Sequence, residues 1–431
     1  MARQRHCSPT ERCWILSILE SSCPFGADWD FTNPDVLATG LPTEEFAYLR
    51  ETAPVWWNQQ PVGATPFGDH GYWVVSRHED IRAVSKNSEL WSAHRKGAIM
   101  RLPDGVGEEE LELTKALLIN HDPPEHTRLR KVVSRLFTPR AVRELHDHLT
   151  VVARDIVSRA AEKTGGNFVE DIAIDLPLNA IFDLIGVPEA DRPRLFEMSN
   201  IIINTDDPDY QGSISAEEAN AEILGYAYNM ADERTRCPAD DIITTLVQAD
   251  IDGESMDQTE FGFFVILLAV AGNETTRNAI THGMNAFLDR PDQWELFRRD
   301  RPSTTYDEIV RWATPVNCFQ RTATRDTELS GVRIAEGQRV GLFYGSANYD
   351  SSVFDEPFTF DISRNPNPHL GFGGSGAHYC IGANLAKMEI EIMMNAIADT
   401  IPDISKVAEP VRIRSGWLNG IKELEVSYRR R

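Results

Sequence analysis

Phe372-Gly373-Gly374-Ser375-Gly376-Ala377-His378-Tyr379-Cys380-Ile381-Gly382 is the stretch on which the reading of this chain turns. One cysteine closes a glycine-rich turn and stands just ahead of an amphipathic run, 383–400, whose period predicts a helix. A thiol so placed lies near a helix N-terminus, where the helix dipole favours the thiolate. The glycines let backbone approach the sulfur closely, so that N–H groups can point at it. No second cysteine lies near in sequence, which argues against a zinc or iron–sulfur cage built from paired cysteines. A lone thiolate cradled by backbone suits one axial bond to a haem iron. Taken alone, the segment also suits an inert cysteine buried in a tight turn, so the rest of the chain has to decide.

The chain has 431 residues, 42% hydrophobic and 25% charged, an ordinary globular composition. No Pro/Ser/Gly linker, low-complexity tract or internal repeat divides it. This predicts one domain over 28–431, preceded by a flexible N-terminal tail, 1–27. The longest apolar run, 263–272, has ten residues, whereas a membrane span needs about 20. The run 14–19 is too short for a signal-peptide core and lacks a small-residue cleavage site, so a cytoplasmic location is expected. A formal charge of −23 excludes general nucleic-acid binding. The six cysteines (7, 13, 23, 237, 318 and 380) show no framework spacing, which fits a reducing compartment. The three within the first 23 residues could hold a metal, or simply lie in a mobile tail.

Along the chain, 71–76 reads as a strand and 80–86 as a short helix. Residues 87–120 read as one long irregular loop, and loops of that length are usually functional. Helical periodicity dominates 124–300, broken at 165–166, 186–188, 206–208, 238 and 252–253. Short β segments follow at 332–334 and 338–344, then a Pro- and Asn-rich meander at 365–368 and a hairpin within 417–428. The expected class is mainly α with small β-sheets.

Residues 257–289 contain no proline and are strongly apolar in their first half. As one helix they would run roughly 50 Å and cross the core. Its middle, Ala271-Gly272-Asn273-Glu274-Thr275-Thr276, is an abrupt polar patch behind two small residues. A mid-helix glycine costs about 1 kcal/mol relative to alanine, so a packing or functional reason is expected. Small residues let something flat or bulky approach the backbone, a Thr hydroxyl can bond back to a carbonyl, and an acid beside it can relay protons. A polar spot capped by a neighbouring helix is the plainer alternative.

Asp122-Pro-Pro-Glu-His126-Thr-Arg128-Leu-Arg130-Lys131 opens another helix. At roughly 100° per residue, His126, Arg130, Val133 and Phe137 share one face, and Arg128, Lys131 and Arg135 the opposite one. From Thr127 to Arg143 there are six basic residues and no acid, in an acidic chain. The first face suits carboxylates projecting from a buried apolar ligand. The second suits an acidic protein partner, or is a solvated face balancing nearby acids. Glu308 and Arg311 stand three apart on a predicted helix, a spacing also common as surface decoration.

Together these segments resemble a cytochrome P-450, a haem-thiolate monooxygenase, from about residue 30 onward. Four signatures stand in that family's order: the acid–Thr patch on the long helix, Glu-x-x-Arg, Phe-Asp-x-x-Arg ending at Arg364, and the cysteine loop. The resemblance implies the cytochrome P-450 fold, a single triangular domain, with haem b bound. It makes Cys380 the axial iron ligand, and gives the haem propionates to His126, Arg130, Arg321 and His378, with Ala271 against the haem. Glu308, Arg311 and Arg364 would form a buried structural triad. Glu274 and Thr275 would be the acid–alcohol pair supplying protons for dioxygen activation. Two departures stand out. Gly373 occupies the place seven before the cysteine where the family usually has Phe, and Glu274 replaces the commoner Asp.

Ala269-Val-Ala-Gly-Asn-Glu-Thr-Thr-Arg277, Trp312-Ala-Thr-Pro315, Asn365-Pro-Asn-Pro-His-Leu-Gly-Phe372 and Ser415-Gly-Trp-Leu-Asn-Gly420 are similar to actinobacterial cytochromes that hydroxylate sterol side chains. This narrower resemblance implies oxidation of the terminal methyl of cholesterol or cholest-4-en-3-one with dioxygen and two electrons. Ile99, Leu102, Val270, Phe319 and Trp417 would line a greasy, narrow channel. Electrons would come from an acidic ferredoxin and its reductase, docked on the face of Arg128, Lys131 and Arg135. A monomer is implied. The competing readings are a hydroxylase of another lipid, terpenoid or polyketide, and a non-catalytic haem-thiolate sensor. Glu274-Thr275 and the basic face speak against the sensor.

Overall fold

The long helix forms as the sequence predicts, over Gln258–Asp289, 32 residues in all. Its start is fixed by a capping box: the Asp257 side chain accepts from Glu260 N and the Glu260 side chain from Asp257 N. Phe261, Phe264, Val265, Ile266, Leu268 and Ala269 bury its first half. It packs against the helices Ala216–Arg236, Asp175–Ile185, Thr305–Ala313 and Ala383–Thr400 and so threads the centre of the main core. The computed structural model describes residues 24–26, 29–61, 66–102, 106–212, 214–238, 242–247 and 256–429. Most of the expected tail, 1–27, including Cys7, Cys13 and Cys23, therefore lies outside the described residues. Phe25, within that segment, packs its ring 5.5 Å from Trp29 and 5.7 Å from Tyr48.

Gly272 has a packing reason. A Cβ there would stand 2.4 Å from Ile181 Cδ1 and 2.5 Å from its Cγ1, so the glycine admits the helix Asp175–Ile185. Gly272→Ala should gain about 1 kcal/mol of helix propensity. It would also force Ile181 out of a packed core, which typically costs about 1–3 kcal/mol. A lower melting temperature is expected for Gly272→Ala, with partial recovery on adding Ile181→Val.

A five-stranded sheet forms the second layer. Its strands run in the order Val55–Gln59, Gly71–Val75, Arg339–Phe343, Cys318–Ala323, Trp91–Ser92. The pair Gly71–Val75 and Arg339–Phe343 is parallel, with Trp73 opposite Val340. Cys318–Ala323 is antiparallel to Arg339–Phe343, with Arg321 opposite Val340. Phe319 and Arg321, two apart on this strand, share one of its faces.

Two sequence expectations need correction. The stretch 87–120 is not one irregular loop: it holds the helix Glu108–Thr114 and the 3-10 turn Leu118–Asn120. Asn120 organises it, accepting from Ala98 N at 2.7 Å and donating to Thr114 O at 2.7 Å. Nor do 417–428 form a hairpin. Ile421–Glu423 pairs with Val411–Arg412, whereas Glu425–Arg429 pairs with Asp403–Lys406 and Gly165–Asn167. Leu424 between them is buried, its N–H on Asn167 Oδ1 and its carbonyl accepting from Phe168 N. That anchor passes the chain from one sheet to another instead of turning it back. Among the described residues, no helix is long and apolar enough to cross a membrane.

Candidate active site

The cysteine loop leads into the helix Ala383–Thr400, whose N-cap is Gly382. Cys380 N donates to Phe372 O at 2.9 Å, closing the loop on itself. Gly376 has φ +87°, and a Cβ there would stand 2.2 Å from Ser85 O. The glycine therefore lets the loop lie on the helix His78–Lys86, a packing role beside the approach to sulfur. Burial pushes the Cys380 thiol pKa up, while a Gly382 backbone hydrogen bond and the Arg130 charge pull it down. Cys380 nevertheless has open surface. Ala271 does likewise: it is exposed on a helix whose Ala269, Asn273 and Glu274 are buried.

Basic groups gather beside the loop. The His126 and His378 rings stand 4.2 Å apart, and Arg130 donates to Tyr379 O. Arg321 is buried, with Nη1 on Gln320 O at 2.6 Å. Burial, then Arg130, His121 and Arg321, lowers the His126 pKa to about 4; burial and Arg321 depress His378 further still. Asp122 acts on both His126 and Arg321, but its oxygens are taken by Ser92 Oγ and by Ala93 N at 2.7 Å. His378 Nε2 is buried with no hydrogen-bond partner among the described residues. A set of donors, buried at His126 and Arg321 and half-buried at Arg130 and His378, with no carboxylate bonded to it among the described residues, fits the two carboxylates of a haem, and the open Cys380 fits its iron.

On the long helix, Thr275 Oγ1 donates to Ala271 O at 2.7 Å, the back-bond expected from sequence. Glu274 does not turn to Thr275. It is ion-paired with Arg277, both side chains being 1% exposed, and accepts from Asn278 Nδ2 at 2.8 Å. Arg277 and Asn278 were not among the residues singled out from sequence, because a buried i,i+3 pair is spaced like a surface one.

The triad is assembled. Glu308 accepts from Arg311 Nε at 2.8 Å and Nη2 at 2.7 Å, and from Arg364 Nε at 3.2 Å. It also accepts from Asp361 N at 2.9 Å and from Asn367 Nδ2 at 3.0 Å, a member the sequence did not disclose.

Of the five channel candidates, Phe319 and Trp417 come together, ring centroids 6.0 Å apart. Val270 is half-buried next to Ala271. Ile99 and Leu102 are half-buried in the 93–102 segment, and no described contact joins them to the other three. The basic face expected to receive a partner is smaller than the sequence suggests. Lys131 and Arg135 are exposed, but Arg128 is 19% exposed and bonded to Glu125 and Glu260. It ties its helix to the start of the long one.

A family model described as Cytochrome P450 matches residues 303–398, from the triad helix through the cysteine loop. A steroid C26-monooxygenase of Rhodococcus jostii is 58% identical over 413 residues, 96% of this chain and 87% of the relative. One of Mycobacterium tuberculosis is 54% identical over 401 residues, 93% of this chain and 92% of the relative. Among solved structures, a Mycobacterium marinum cytochrome P450 in complex with pseudoionone matches with a TM-score of 0.86 and 36% identity, over 94% of this chain and 100% of that one. Likeness of that extent reaches well beyond backbone shape: this chain belongs to the cytochrome P450 family.

Proposed function

We propose that this protein is a haem-thiolate monooxygenase that hydroxylates the terminal methyl of a sterol side chain, cholesterol or cholest-4-en-3-one. The observation that carries the reading is relatedness of 52–58% to proteins named steroid C26-monooxygenase over 93–96% of the chain. Relatives at 39% are named methyl-branched lipid omega-hydroxylase, which keeps a branched lipid as the second reading.

Haem b, when bound, supplies dioxygen activation and transfer of one oxygen atom to a C–H bond. Cys380 would hold the iron, helped by the Gly382 N–H and Arg130, which favour the thiolate. His126, Arg130, Arg321 and His378 would bind the propionates, and the small Ala271 leaves room for the flat ring. Glu274 and Thr275 would hold and pass protons. The Thr275 hydroxyl, anchored to Ala271 O, is set one turn from the open face. Phe319 and Trp417, with Val270, Ile99 and Leu102, would exclude water and choose the carbon presented. An acidic ferredoxin with its reductase would dock at Lys131 and Arg135. The working protein is read as a cytoplasmic monomer built as one domain over 28–431.

Titration of the ferric protein with cholest-4-en-3-one, followed at the Soret band, tests the substrate. A saturable low- to high-spin shift is expected. A flat titration would remove the sterol and favour branched lipids. Thr275→Ala should bind haem and sterol as the parent does but divert reducing equivalents to peroxide. Product per reducing equivalent equal to the parent's would refute the proton role.

A further inference from the structure

We propose that Gln320 is a positioning residue for substrate selection: its carboxamide holds the segment 96–98 so that Ile99 stands beside Phe319, and this placement sets which carbon of the substrate is presented. The inference rests on the reading of Ile99 and Phe319 as channel walls. Gln320 is fully buried on the strand Cys318–Ala323, between Phe319 and Arg321. Trp91–Ser92 pairs antiparallel with that strand, Ser92 opposite Thr322. Regular pairing would next bring His94 opposite Gln320. Instead, Gln320 N donates to Ala98 O at 2.8 Å. The chain therefore leaves the strand edge over 93–97 and returns to it at Ala98. In the same antiparallel sense, Ile99 follows Ala98 as Phe319 precedes Gln320, so the bond brings the two side by side.

The Gln320 side chain closes this excursion from within. Its Nε2 donates to Lys96 O at 3.0 Å and to Gly97 O at 3.2 Å, and its Oε1 accepts from Arg339 Nη1 at 3.1 Å. Arg339, fully buried, pairs with Asp69 at 2.7 Å, and Asp69 also takes Lys96 Nζ at 2.9 Å. Met100, on the far side of Ile99, is buried so closely on the next strand that a Cβ at Gly341 would stand 2.7 Å from its Sδ. Ile99 is thus strung between two fixed neighbours while its own side chain stays half-buried. Only a carboxamide of this length donates to two carbonyls and accepts from a guanidinium at once. An apolar replacement would leave all three partners unmatched in a buried place. Gln320 does not line the channel; it acts through Ile99.

The test uses the full haem-loaded chain and the variants Gln320→Met, Gln320→Glu, Ile99→Ala and the double variant of Gln320→Met with Ile99→Ala. Two quantities are read: amide hydrogen exchange over 94–100 without turnover, and, with cholest-4-en-3-one, the ratio of terminal-methyl product to product hydroxylated elsewhere. Gln320→Met should speed exchange over 94–100 by about tenfold, as local opening becomes easier. It should also lower the product ratio several-fold, as Ile99→Ala does. The double variant should be no worse than Ile99→Ala, because a residue acting through another adds nothing once that other is gone. If Gln320→Met does not accumulate, Gln320→Glu, which also loses both donors, carries the measurements. A loss of stability alone would leave the ratio unmoved. Unchanged exchange over 94–100 overturns the proposal, as does an unchanged ratio in Gln320→Met beside a shifted one in Ile99→Ala. A parent that leaves cholest-4-en-3-one unoxidised would instead overturn the sterol reading. The exchange result would then still decide the holding of 96–98, with the ratio read on a methyl-branched fatty acid.

Discussion

Cys380→Ser is expected to lower sterol hydroxylation by about 10³-fold or more, a loss of about 4 kcal/mol of transition-state stabilisation, while leaving the protein folded. The reasoning starts from the sulfur's surroundings. Burial opposes the thiolate, and the Gly382 backbone and Arg130 favour it. A serine hydroxyl is far harder to ionise than a thiol, and these two groups would not make up the difference. Serine would be a harder, less electron-donating ligand than the cysteine proposed to hold the haem iron. The fold should survive because the loop is held elsewhere. Cys380 N bonds to Phe372 O, and Leu370 N donates to Asn348 Oδ1 at 2.7 Å, bonds that do not involve the side chain. Haem content should fall only in part, since the proposed propionate partners His126, Arg130, Arg321 and His378 remain. The measurement is the carbon monoxide difference spectrum of the reduced protein beside turnover with sterol. A thiolate-type spectrum retained in Cys380→Ser would show that the iron is held by some other residue.

The loop was legible because its chemistry is local: a thiol, glycines and a following helix lie within a dozen residues. The long helix was legible for the same reason, its Asp257 cap and unbroken apolar period being consecutive. What the sequence could not show is who meets whom across the fold. Gly272 reads as room for a flat ligand, yet it makes room for Ile181, far upstream in the chain, and Ala271 beside it has the open surface. Glu274 reads as an acid beside a hydroxyl, but its holding partners are Arg277 and Asn278. Arg128 is one of a row of cations in sequence and an interhelical tie in space, because Glu260 is brought to it by the packing of two helices. The missing hairpin has a like cause. Alternation predicts strands, but pairing is chosen by tertiary anchors such as Leu424. Glu308 and Arg311 were legible as a pair, whereas Asn367, in a Pro- and Asn-rich meander, reads only as a turn former.

Glu308→Ala should cost about 3–5 kcal/mol of stability, the usual loss when one member of a buried ion network is removed. Against total stabilities of about 5–15 kcal/mol, that is enough to keep much of the protein from accumulating folded. Glu308 and Arg311 are fully buried. Arg311 also donates to Asn348 O and Pro357 O at 2.8 Å, and Arg364 to Asp355 O at 2.7 Å and Thr359 O at 2.9 Å. Removing the carboxylate would leave both guanidinium groups fixed by carbonyls, with no anion to balance them. The damage should also reach the haem. Three of those carbonyls, of Asp355, Pro357 and Thr359, belong to the stretch 355–368, which ends in the Pro- and Asn-rich meander and continues into the cysteine loop, and the His78 ring is held to Pro368 O at 2.8 Å at its end. A meander released at Glu308 would no longer fix the approach to Cys380, so haem retention should fall together with the melting temperature. Glu308→Gln, which can still accept from Asp361 N and one guanidinium, should fall between parent and alanine. Melting curves and haem-to-protein ratios of the two variants decide the matter. A Glu308→Ala protein that melts within about 2 °C of the parent and keeps its full haem would mean the network contributes neither stability nor the placement of the loop.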